Sequence, residues 1–212
     1  MDKNIYLHAI SSVPDDYYHS EETTKVLLKI LKRRALLCTR LQRKGSYGGF
    51  NGGNYVSLCD YEKRNKYKNY MGKYNAYHTY IRYSLSLAFP KDKIEVIKPK
   101  VLDGIYAKDS KGFYEMERLG KSKKERYTDM PDEVQVRDSV SLEHLSLATF
   151  PVHLLKTSKG FTVDEKASII MYEIEEIDRI LSSYGFNIPI YDIDTLEELT
   201  SSSKVKMLIK NM

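Results

Sequence analysis

Alternating apolar and polar positions mark the strands of this chain. Ile5 to Ile10 reads as a short strand with His8 near its end, and Tyr55 to Leu58 as another. Ile81, Tyr83, Leu85, Leu87 and Phe89 alternate with Arg82, Ser84, Ser86 and Ala88 until Pro90, which predicts a half-buried strand. Val134 to Val136 and His144 to Thr149 read as two more, and residues 94–97 as a strand or a short helix. Ile105 to Lys108 and Phe113 to Met116 flank Asp109-Ser110-Lys111-Gly112, which predicts a hairpin.

Helical spacing appears elsewhere. Glu21 to Ala35 can place Leu27, Leu28 and Leu31 on one face, with the lysines outside. Tyr67, Tyr70, Tyr74 and Tyr77 also step helically, a stripe better suited to packing than to base stacking. The clearest helix follows Thr162-Val163-Asp164-Glu165, a capping-box pattern. Behind it Val163, Ala167, Ile170, Ile174, Ile177, Leu181 and Tyr184 step by fours and threes, and Gly185 supplies a stop. A shorter helix is expected to begin at Thr195-Leu196-Glu197-Glu198. Lys44 to Asn54 and Leu119 to Pro131 read as loops. The chain thus divides into an α+β part, residues 1–156, and a helical C-terminal extension, residues 157–212.

Composition narrows the class. The chain has 212 residues, enough for one domain, and 42% are hydrophobic, which excludes global disorder. The first residues lack a basic stretch followed by an apolar one, and no apolar run is long enough for a membrane span. A cytoplasmic location, or delivery into a host cytosol, is therefore expected, with no membrane partner. Cys38 and Cys59 lack metal-ligand spacing and suit reduced thiols, so no metal is expected. There is no GxxxxGK[ST] phosphate loop, HExxH or CxxC pair. The net charge of +5 is a mild bias, but basic residues crowd from Lys25 to Lys44 and again from Lys121 to Arg126.

Three segments carry candidate chemistry. They are Tyr6-Leu7-His8-Ala9, then Asn54-Tyr55-Val56-Ser57 after a glycine-rich loop, then Glu133-Val134-Gln135-Val136. This order of His, Tyr-x-Ser and Glu-x-Gln resembles the His-Tyr-Glu branch of the ADP-ribosyltransferase superfamily, which includes poly-ADP-ribose polymerases and, more loosely, DarT-type toxins. Ile30 to Leu37 follows the family's ILK-x-x-x-LL pattern. The resemblance implies an α+β fold, a split mixed β-sheet core extended by the helical C-terminal segment. It implies NAD as substrate and transfer of ADP-ribose to a macromolecular acceptor by a toxin, effector or defence enzyme. On this resemblance His8 would bind ribose, Ala9 would offer its backbone to the carboxamide, Tyr55 would stack on nicotinamide beside Ser57, and Glu133 would be catalytic. Gln135 would bind the acceptor, together with Lys121, Lys123, Lys124 and Arg126 in the preceding loop. The C-terminal helices would cover the catalytic domain or a protein partner.

Two positions depart from the family pattern. Ala9 stands where members commonly carry Gly or Thr, and Gln135 where arginine-directed relatives carry a second Glu. With Gln135 in the catalytic slot instead, Glu133 becomes an acceptor-binding residue. The competing readings are a non-enzymatic nucleic-acid-binding protein, and an RNA 2′-phosphotransferase or NAD glycohydrolase on a similar fold.

The basic loop yields a direct test. Its four cations oppose a single acid, Glu125, so an anionic acceptor, nucleic acid or acidic protein, is expected. Changing Lys121, Lys123, Lys124 and Arg126 together to Ser should reduce acceptor modification while leaving NAD hydrolysis intact. Equal loss of both rates would reject a role in acceptor choice.

Overall fold

The structure is a computed structural model that describes residues 4–10, 21–38, 41–42, 55–62, 84–96, 133–156 and 159–211. The expected tyrosine stripe at 67–77, the hairpin at 105–116 and the basic loop at 121–126 lie outside those residues.

The fold is α+β. In chain order come β1 (Ile5–Ala9), α1 (Glu21–Arg33), β2 (Ala35–Leu37), β3 (Tyr55–Asp60), β4 (Ser86–Pro90), β5 (Glu133–Arg137) and β6 (Ser139–Ser141). Then follow β7 (Leu147–Phe150), α2 (His153–Lys156), α3 (Val163–Ser183), β8 (Ile190–Asp192) and α4 (Ser202–Asn211). Six strands form a mixed sheet in the order β5-β3-β1-β4-β7-β8, antiparallel except for the β7–β8 pair. β2 and β6 form a separate two-stranded ribbon.

Each face of the sheet has its own apolar cluster. On the larger face Tyr6, Val56, Leu58, Leu87, Phe89, Ala148 and Phe150 join Leu27 and Leu31 of α1. The same cluster takes in Ile170, Ile174 and Ile177 of α3 and Val205, Leu208 and Ile209 of α4. On the other face Leu7, Cys59, Ala88 and Leu147 pack with Tyr61, Ile193 and Leu196. The C-terminal segment therefore shares the core of the sheet, and it also supplies the sixth strand.

Local chemistry sets the boundaries. α1 stops where Arg34 turns left-handed, at φ 51°. The Arg34 guanidinium then lies 4.9 Å over the Phe186 ring and donates to the Tyr184 carbonyl, which ties α1 to the end of α3. α3 begins as expected: Thr162 Oγ1 accepts from the Glu165 amide at 3.2 Å, and the Glu165 carboxylate accepts from the Thr162 amide at 2.7 Å. The helix expected at Thr195 does not form. The buried Asp192 carboxylate accepts from both the amide and the hydroxyl of Thr195 at 2.8 Å, which fixes a turn, and the helix starts at Ser202 instead.

These contacts set the cost of losing them. Thr162→Ala should cost about 1 kcal/mol by removing the cap. Ile177→Ala, at a site 1% exposed, should cost roughly 2–5 kcal/mol through its cavity. Urea melts read both values, and the larger loss should appear in the unfolding of the sheet itself, because helix and sheet share one core.

Candidate functional site

The three motif segments fold onto β1, β3 and β5, which lie side by side. β3 and β5 pair along their length, with Ser57 opposite Gln135, Tyr55 opposite Arg137 and Cys59 opposite Glu133. The pairing of β1 is uneven. All five of its residues pair with β4, from Ile5 opposite Pro90 to Ala9 opposite Ser86. With β3 it pairs only at Tyr6, opposite Asp60, and Leu7, opposite Cys59. Beyond Leu7 the β1–β3 ladder stops, so the sheet divides at the end where His8, Ala9, Tyr55 and Ser57 stand.

The division leaves backbone groups aimed into the gap. Ile10 donates to the Leu85 carbonyl, so the main chain of Ile10 faces β4. Peptide groups along a strand alternate in direction, so the N–H and C=O of Ala9 face β3, where the ladder has ended. The His8 ring takes over part of the missing pairing: its Nδ1 lies 2.9 Å from the Ser57 carbonyl oxygen. That oxygen can only accept, so Nδ1 carries the proton and Nε2 is left as the acceptor. By its pairing with Leu87, His8 belongs to the face of the larger core, and the ring is turned toward β3. Burial pushes its pKa below the usual histidine value, with the Ser57 bond opposing in part. At neutral pH the ring is uncharged.

His8, Ala9 and Ser57 are all half-buried, whereas Leu7, Leu58 and Cys59, just inward of them, are fully buried. The opposite end of β1 is closed. There the Lys91 ammonium pairs with the buried Asp60 carboxylate at 2.7 Å and lies 5.6 Å above the Tyr6 ring. One end of the sheet is locked, and the motif end is partly open.

Of the expected site residues, the structure brings His8, Ala9, Tyr55, Ser57, Glu133 and Gln135 onto neighbouring strands but not to one place: His8 lies on the face of the larger core and Ala9 and Ser57 on the other, and Glu133 stands opposite Cys59, toward the closed Asp60–Lys91 end. Gln135 is buried, at 2% exposure. Lys121, Lys123, Lys124 and Arg126 lie outside the described residues. No group of three His, Cys, Asp or Glu among the described residues is placed to hold a metal ion. No described helix is long and apolar enough to cross a membrane.

The sequence missed one feature beside the gap. Ser84 and Ser86 read as the wet side of a half-buried strand, yet both are 0% exposed. β4 is an interior strand with β1 on one side and β7 on the other, and its second face is covered as well as its first. The available signal was the absence of charge after Arg82 on that face, where Ser84, Ser86 and Ala88 are all small.

An NMR titration tests the bond at the gap. The His8 midpoint should fall below 6.5, with the proton on Nδ1. Because the folded value is the lower one, His8 contributes full stability above pH 6.5 and loses it as pH falls through 6.5 toward the folded value. His8→Asn should remove that part of the acid sensitivity, and a His8 midpoint above 6.5 would contradict the geometry.

No family model, curated protein or solved structure matches this chain.

Proposed function

We propose that this chain is an NAD-dependent ADP-ribosyltransferase built on a split mixed sheet, acting on an anionic macromolecular acceptor. The observation that carries the reading is the gap between β1 and β3, with the three motif segments gathered on the strands around it. In the reaction, the bond from C1′ of the ribose to nicotinamide breaks and its electron pair leaves with nicotinamide. An acceptor nucleophile then bonds C1′ and gives up a proton.

The residues on the strands around the gap are assigned to these needs. Ala9 turns its main-chain N–H and C=O toward β3, a pair of groups complementary to a carboxamide. Ser57 adds a half-buried hydroxyl at the same place. Tyr55 is assigned to stack on nicotinamide, and Glu133, two residues along β5 from the level of Ser57, to stabilise the cation at C1′ and accept the acceptor's proton. Gln135 is level with Ser57 but buried, which leaves acceptor contact to other residues. His8 is assigned first to hold the Ser57 carbonyl, with Nε2 left to accept from a ribose hydroxyl.

A second reading, a non-enzymatic nucleic-acid-binding protein, has its own observation. α1 exposes Lys25, Lys29, Lys32 and Arg33 along its outer side. Under the transferase reading the same surface would attract the anionic acceptor.

Incubation with NAD separates the two. The transferase should release nicotinamide, and addition of an acceptor should convert ADP-ribose release into covalent label. Glu133→Gln should lower the rate by roughly 10²- to 10⁴-fold with an unchanged melting temperature. Salt-sensitive nucleic-acid binding with no nicotinamide release would favour the second reading. Free ADP-ribose as the sole product would mark a glycohydrolase.

A further inference from the structure

Cations and acids are unevenly mixed along this chain. From Thr23 to Cys59 it carries eight lysines and arginines and no aspartate or glutamate. α1 lies in that stretch. Its apolar positions Val26, Leu27, Leu28, Ile30 and Leu31 pack into the larger core, which leaves Lys25, Lys29, Lys32 and Arg33 exposed. At 1.5 Å per residue these four cations span roughly 12 Å of helix.

The C-terminal helices mix their charges. Arg179 pairs with Glu176, and Lys206 of α4 lies 3.0 Å from Asp164 of α3. On α1 beyond Glu22 there is no acid to pair with, and Lys29, Lys32 and Arg33 form no ion pair with a described residue. The helix dipole accounts for Lys32 and Arg33 in the last turn, but not for Lys25 and Lys29 further back. Lys25 and Lys29, and Lys29 and Arg33, are four residues apart, where like charges repel. The face is a small loss to the helix, and a polyanion would turn it into a gain.

The helix also leads to the motif end of the sheet. Arg34 is spent on the Phe186 ring and the Tyr184 carbonyl, and β2 then runs to Cys38, whose amide donates to the Asp138 carbonyl at 2.8 Å. The chain from Arg33 to Cys38 can reach at most about 18 Å. Asp138 follows Arg137, which stands opposite Tyr55. The Arg137 side chain is 74% exposed and meets its neighbour Asp138 only at 3.9 Å, where a surface pair is worth little. We propose that Lys25, Lys29, Lys32, Arg33 and Arg137 bind the phosphates of a nucleic-acid duplex and hold it at the motif end of the sheet. α1 has no aromatic residue to stack a loose base or to anchor a protein, so its face suits a partner that offers backbone charge alone. One strand of a duplex presents three or four phosphates over about 12 Å, the length of the four cations. The proposal deepens the transferase reading by naming its acceptor class, and rests on it only for the chemistry at the gap.

Fluorescence anisotropy of a labelled DNA duplex, titrated with the intact protein in a salt series without NAD, reads this surface. Changing Lys29, Lys32, Arg33 and Arg137 together to Gln should weaken binding at low salt by at least about tenfold and flatten the log–log salt slope by roughly 3–4. Arg137→Gln alone should flatten it by about 1, which puts the duplex at the motif end. Lys93→Gln with Lys206→Gln, at cations already facing acids, should change neither. If the fourfold variant melts early, Lys29→Gln with Arg137→Gln takes its place, with a slope flatter by about 2. An unchanged slope in the α1 and Arg137 variants, or an equal loss in the control pair, would overturn the proposal and leave α1 a solvated face. Tighter binding of the single strand would overturn the duplex, and polyglutamate bound as tightly would make the partner an acidic protein. Nicotinamide release by a protein that binds no duplex would overturn this surface and spare the transferase reading. Duplex binding lost in the variants, from a protein that releases no nicotinamide, would do the reverse.

Discussion

The unequal pairing of β1 is the constraint on which the rest of this structure depends. As an interior strand it should satisfy its backbone on both sides. It does so fully against β4, but against β3 only as far as Leu7. A buried peptide group without a partner is costly, so the chain must supply substitutes where the ladder stops. His8 does this for one of them, by meeting the Ser57 carbonyl with a ring nitrogen. What remains of that incomplete pairing is a half-buried place with directed backbone groups, between two cores.

The opposite end of the sheet shows what full closure requires. Asp60 and Lys91 are removed from most of their water, and desolvation alone would make each ion costly. They offset that cost by pairing at 2.7 Å, and Glu62 adds a second, exposed acid to the lysine. Burial lowers the Lys91 pKa, but the two carboxylates more than reverse it, so the ammonium stays charged. Below it burial raises the Tyr6 phenol pKa, assisted by the Asp60 charge, and keeps the phenol neutral. A charged clamp at one end and a gap at the other give the sheet one locked end and one where the pairing is incomplete.

The C-terminal segment braces this arrangement. β8 continues the sheet as a parallel edge strand beside β7, which requires a crossover, and α3 is that crossover. Its apolar stripe joins the core cluster on the larger face of the sheet. A long helix with a capping box at its start is a rigid cover, and Arg34 fastens its far end to α1. The helices expected to form an extension thus belong to the same core as the site.

The sequence alone determined the elements whose signal is local. The capping box and the four-and-three spacing fixed α3, short apolar or alternating runs marked β1, β3, β4, β5 and β7 but not β2 or β8, and the apolar face of α1 marked Leu27 and Leu31 as core. The candidate residues His8, Ala9, Tyr55, Ser57, Glu133 and Gln135 were legible too, as types in an order. Only the tertiary structure decided which strands are neighbours, since pairing joins residues far apart and leaves no periodic trace. It decided that Ser84, Ser86 and Thr149 are buried, because a small polar residue carries no mark of what lies above it. It decided that Asp192 spends its carboxylate on Thr195, turning an expected helix start into a turn, because a local hydrogen bond within a buried loop outweighs a weak helical propensity. It also decided that β1 and β3 part beyond Leu7, a matter of how two faces of one sheet are packed at once, which no single segment encodes.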